Sequence, residues 1–79
     1  MSPTVFRYKN YRFLFFSREE PRLHIHVTSS EGEAKFWLTP KLELAKNYGF
    51  NESQLTELSK VIEDHKDDIE NAWSEHFGS

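Results

Sequence analysis

From His24 to Leu38 apolar and polar side chains alternate with a period of two, interrupted at Ser29–Gly32 and by Trp37 on the otherwise polar side. Successive side chains of a strand point to opposite faces. Ile25, Val27, Ala34, Phe36 and Leu38 therefore fall on one face, and His24, His26, Lys35 and Trp37 on the other. This pattern predicts an antiparallel hairpin with one face in a core and one polar face. A turn centred on Ser30-Glu31 would pair His26 with Lys35 and His24 with Trp37. One centred on Glu31-Gly32 would pair His26 with Trp37. Both loops are even in length, so both keep the same faces.

A second hairpin is predicted before it. Thr4–Tyr8 and Tyr11–Ser17 are rich in aromatic and β-branched residues, and Lys9-Asn10 separates them. Asn tolerates the positive φ of a two-residue turn. That turn pairs Tyr8 with Tyr11, Arg7 with Arg12, Phe6 with Phe13 and Val5 with Leu14. Arg18–Pro21 reads as a polar connection. Thr39-Pro40 reads as a helix start, with Thr as N-cap and Pro at the first position, and Tyr48-Gly49 as its stop. Asn51 opens a further helix, with Gln54 completing a capping box. Leu55, Leu58, Ile62, His65, Ile69, Ala72 and His76 then step by three and four, and Gly78 ends the run. The expectation is one amphipathic helix of about 25 residues, or about 38 Å.

The predicted fold is α+β: a single domain over residues 1–79 with a four-stranded antiparallel sheet of two hairpins, then a short and a long helix, order ββββαα. The long helix exceeds its strands, which span about 17–23 Å. Two readings follow. Either its last turns overhang and His65, Trp73, His76 and Phe77 form a partner interface, or the helix packs diagonally and the stripe is core.

With 79 residues the chain has room for one small core, to which seven Phe contribute most. The absence of cysteine excludes disulfides, thiol catalysis and Cys-ligated zinc. No apolar run approaches the roughly 20 residues that span a bilayer, and the N-terminus has no signal-peptide core. A cytoplasmic protein without membrane association is expected. Charge is divided: residues 1–50 carry eight Lys/Arg against five Asp/Glu, and residues 51–79 carry two against eight. The basic half holds the strands and the acidic half the long helix, which suggests two surfaces with different partners.

His24 and His26 allow three kinds of chemistry. A metal site needs a third ligand, and His65, His76 and the carboxylates stand at no diagnostic spacing. No metal and no cofactor is expected. Acid–base catalysis on RNA needs no metal: two imidazoles can divide the proton transfers of a 2′-hydroxyl attack on phosphate. Arg7, Arg12 and Lys35 would hold the phosphate if the two hairpins join with their polar faces together, and Trp37 would stack a base. The third reading is structural, with both histidines as polar residues of a half-exposed face. A pI of about 5.8 argues for a local anion site rather than broad nucleic-acid affinity.

The segments PTVFRYKNYRFLFFSREE, HIHV, GEAKFWLTP and AWSEHFG together resemble a family of small bacterial proteins known as a domain of unknown function, number four-one-six-zero in its series. The likeness spans essentially the whole chain. Lys9-Asn10 replaces a Gly-rich turn of that family, and Arg22-Leu23 stands where a second proline is common, so the departures touch turns. Members are typically encoded beside another small protein, and the pair resembles a type II toxin–antitoxin module with this family as toxin. The resemblance implies an antitoxin-like small protein as partner. It implies no catalytic residues. The residues above add RNA and a second copy of the chain as candidate partners. A non-enzymatic interaction module built on the acidic helix, and a small His-x-His metal protein, stand as the alternatives.

Overall fold

The computed structural model describes residues 4–15 and 21–77. Phe16–Glu20, which include the end of the expected second strand and most of the expected connection, lie outside the described residues, as does Gly78. Five strands form one antiparallel meander in the order β1-β2-β3-β4-β5, and two helices follow. The strands are β1 Thr4–Tyr8, β2 Tyr11–Leu14, β3 His24–Ser29, β4 Gly32–Trp37 and β5 Glu43–Tyr48. The helices are α1 Glu52–Asp64 and α2 Lys66–Phe77.

The fold class is α+β as expected, with five strands rather than four. The β3–β4 register is that of the Ser30-Glu31 turn: His24 faces Trp37 and His26 faces Lys35. In the first hairpin Tyr8, Arg7 and Phe6 pair with Tyr11, Arg12 and Phe13. The expected Val5–Leu14 pair is replaced by Thr4–Leu14, because β1 carries an irregularity between Thr4 and Phe6 that leaves Val5 out of register. At the turn the positive φ, 54°, belongs to Lys9 rather than Asn10.

The expected short helix after Thr39-Pro40 is instead β5. The chain passes Thr39-Pro40 through a cis peptide bond and returns antiparallel along β4. Leu-Glu-Leu-Ala-Lys is a good local helix former, but the outer edge of β4 offers a full ladder of backbone partners, and tertiary pairing overrides propensity. Gly32 and Gly49 close this corner. Gly49 has φ of +100°, and a Cβ there would lie 2.5 Å from the Glu31 carbonyl oxygen.

The capping box at Asn51 forms as expected: Gln54 N donates to Asn51 Oδ1 at 2.8 Å and Asn51 N to Gln54 Oε1 at 2.9 Å. The long helix does not run unbroken. It is interrupted at His65, whose Nδ1 lies 2.9 Å from the Val61 carbonyl oxygen and whose ring stacks on Phe6 with 4.4 Å between centroids. A side chain that bonds to a carbonyl of the helical ladder is a recognised cause of a kink. The apolar stripe is otherwise as expected: Leu58, Ile62 and Ile69 are buried, and Leu55 and Ala72 pack beside them. They meet Phe13, Phe15, Ile25, Val27, Phe36 and Leu38 in one core on one face of the sheet.

Candidate functional site

The registers define what lies on the opposite face. One cross-strand row reads Arg7, Arg12, Thr28, Glu33, Tyr48. The next reads Thr4, Leu14, His26, Lys35, Lys46, and a third His24, Trp37, Glu43. Directly opposed Cα atoms lie about 4.5–5.5 Å apart, so each row is a line of neighbouring side chains. The two hairpins therefore do join with their polar faces together. Arg7, Arg12, His26 and Lys35 share one surface, which is the condition a phosphate site on this sheet must meet.

The two histidines lie on the same face, opposite Ile25 and Val27, but they differ in access. His26 is half-buried, whereas His24 is 0% exposed. The alternation places both imidazoles on the polar face, where solvent access is expected of each; for His24 this is corrected. The reason is aromatic crowding. Trp37, His26 and Trp73 approach the His24 ring edge-on, with centroids at 5.5, 5.2 and 5.1 Å. Trp73 comes from α2, so the helical layer reaches round to the end of β3. His24 Nδ1 lies 2.6 Å from the Arg22 carbonyl oxygen. A carbonyl only accepts, so Nδ1 carries a hydrogen and the neutral ring has its lone pair on Nε2. His24 thus holds a fixed tautomer and packs against His26, while His26 faces the groove.

The cations are held in place. Arg12 Nε donates to Thr4 Oγ1 at 2.6 Å. Lys35 is only 8% exposed, with its Nζ 4.4 Å from the Trp37 ring centroid. The Arg22 guanidinium lies 4.2 Å from the same centroid, while its Nε donates to the Thr39 carbonyl at 2.7 Å. Trp37 is therefore half-buried beneath two cations rather than a bare platform for a base. Between the rows runs a groove of about 330 Å³, lined by Arg12, Leu14, His26, Val27, Thr28, Glu33 and Ala34.

Lys46, Glu33 and Arg22 belong to this surface without any sequence signal having singled them out. For Lys46 the helical reading of its segment hides it. The spacing of Leu42 and Leu44 could mark a strand, but in its phase Lys46 falls on the leucine side; the register shift opposite Lys35 and Phe36 turns it to the other face.

The helical candidates are not brought to this face as a group. His65 sits at the kink, stacked on Phe6, which itself stacks on Phe13. Trp73 packs edge-on to Phe15 at 5.2 Å and counts with the core. His76 is exposed, and Phe77 is 38% exposed at the helix end. Among the described residues no three His, Asp or Glu side chains converge as metal ligands do. Among the same residues no helix is long and apolar enough to cross a membrane.

The class is thus a five-stranded antiparallel meander, backed by two helices on one face and carrying basic and imidazole groups on the other. The chain belongs to the family described as the domain of unknown function DUF4160, whose pattern it matches over residues 10–74. No curated protein and no solved structure matches it.

Proposed function

We propose that the open face of the sheet binds single-stranded RNA, and that the chain acts as the toxin-like member of a two-protein module. One observation carries the RNA reading: the cross-strand rows gather Arg7, Arg12, His26, Lys35 and Lys46 on the face opposite the core. Arg7 and Arg12 are directly opposed. Like charges so placed repel, and a phosphate between them turns that repulsion into attraction. Single strands are commonly recognised on exposed sheet faces. A patch of cations attracts phosphate and disfavours a metal ion, which sets this reading above the His-x-His metal alternative. The acidic balance of the whole chain supports a local site.

Within this reading His26 is the proton-transfer group, and His24 acts through it by packing against its ring. The toxin-like role rests on the family likeness. It adds an antitoxin-like small protein as partner, for which the exposed Phe77 ring beside His76 is one apolar surface, Leu44 and Tyr48 on β5 being others.

The test is fluorescence anisotropy with a short single-stranded RNA at several salt concentrations. Wild type should bind with a clear salt dependence. Arg12→Ala should weaken binding and flatten the log–log salt slope by about 0.7 for each phosphate it ceases to neutralise. In cells, expression should arrest growth, and His26→Ala should relieve the arrest, since loss of a proton-transfer group costs about 10²–10⁴ in rate. Absence of RNA binding at low salt overturns the reading.

A further inference from the structure

The groove beside His26 is bounded by groups of opposite character. Arg12 and His26 line its β2–β3 side, and Glu33 lines it from β4. Arg12, Thr28 and Glu33 are successive members of one cross-strand row. The backbone positions that carry the cation and the carboxylate are thus two strand spacings apart, about 10 Å. Among the described lining residues Glu33 alone is acidic. A carboxylate repels phosphate, so it faces a different part of any bound nucleotide. The groove, at about 330 Å³, lies at the small end of ligand sites, which run from about 300 to 1,000 Å³.

We propose that this groove holds a single nucleotide of the bound RNA and selects guanine, with the phosphate toward Arg12 and His26 and the base toward Glu33. The proposal rests on the RNA reading above and adds base specificity to it. An ionised carboxylate only accepts hydrogen bonds, through two oxygens side by side. Guanine offers two adjacent donors on its Watson–Crick edge, N1–H and the N2 amine. Adenine offers the N6 amine beside a bare N1, and cytosine the N4 amine beside a bare N3. Uracil offers N3–H between two carbonyl oxygens. In each of those three, a lone pair would be set against Glu33. Leu14 supplies an apolar wall, and single-stranded RNA is read through edges of this kind.

The experiment uses short uridine tracts carrying one central guanosine, adenosine, cytidine or inosine. Binding to the full chain is measured by anisotropy at fixed salt. Wild type should bind the guanosine RNA about tenfold more tightly than the adenosine and cytidine RNAs, as expected for a charge-assisted bidentate contact. Inosine, which lacks the N2 amine, should fall between. Glu33→Gln should bring the guanosine and adenosine affinities within about twofold of each other, since an amide can serve either base. Equal binding of all four RNAs, or an undiminished guanosine preference in Glu33→Gln, overturns the guanine assignment and leaves RNA binding standing. Failure of wild type to bind any of the four overturns both.

Discussion

His24 and His26 share a face and differ in everything else. His24 is enclosed by three aromatic rings and tied by its Nδ1 to the Arg22 carbonyl. Removing such a ring leaves a cavity. His24→Ala should lower unfolding free energy by about 3 kcal/mol, read from urea denaturation. His26→Ala should change stability by less than about 0.5 kcal/mol, as substitutions away from core contacts do, and should act on binding instead. Equal losses for the two variants would show that access does not separate them. Period-two alternation makes the shared face legible in the sequence. It carries no information on which histidine is covered, because the cover is Trp73, from a helix far along the chain. The same limit applies at the first turn. Lys9-Asn10 is legible as a two-residue turn, but the left-handed residue is Lys9, whose ammonium lies 2.6 Å from Glu57 Oε2 on α1.

That contact matters at the scale of elements, because Tyr8 and Lys9 tie the first hairpin to α1. Tyr8 Oη donates to Glu57 Oε2 at 2.8 Å beside the Lys9 ammonium. The Lys9 and Tyr8 hydrogen bonds hold the Glu57 carboxyl below its ordinary range, and the Glu57 carboxylate raises both Lys9 and Tyr8. A depressed carboxyl contributes stability above its unfolded value, about 4.3, and loses that contribution as pH falls through the folded value. The raised Tyr8 and Lys9 contribute below about 10 and lose it as pH rises through theirs. Thermal melts against pH should therefore show an acid loss that is shallower in Glu57→Gln. The difference should shrink in high salt, because the Lys9 ammonium is exposed and Glu57 is only half-buried. An unchanged acid limb in the variant would mean that the contact has no energetic weight. β5 shows where local signals fail. Thr39-Pro40 and a run of good helix formers argue for a helix, while the unpaired edge of β4 decides for a strand. The glycine stop at Tyr48-Gly49 stands where the sequence places it but ends a different element. There Gly49 holds a positive φ against Glu31. Gly49→Ala should cost about 2 kcal/mol or more, from left-handed strain of about 1–2 kcal/mol plus the backbone contact, and a denaturation midpoint will show it.

For the whole molecule, the division of charge along the chain becomes a division between layers. The sheet presents Arg7, Arg12 and Lys46 on its open face, with Lys35 buried among them, and the helices carry most of the acid. An anionic polymer is thus drawn to one side and repelled from the other, and both effects are long-ranged and screened by salt. Glu63 and Glu75 are exposed and sit in the last turns of α1 and α2. Cations are favoured at those ends by the helix dipole, so Glu63→Lys with Glu75→Lys should not unfold the chain. The double substitution moves the net charge from −3 to +1. It touches no residue of the open face, so it tests the field alone. The association rate for single-stranded RNA should rise several-fold at low salt and converge with wild type as ionic strength approaches about 1 M, where the screening length is about 3 Å. Dissociation should change little, because the contacts at Arg12 and His26 are untouched. Stopped-flow fluorescence at several salt concentrations separates the two rates. A dominant change in dissociation would place RNA contacts on the helical side and move the binding surface away from the sheet.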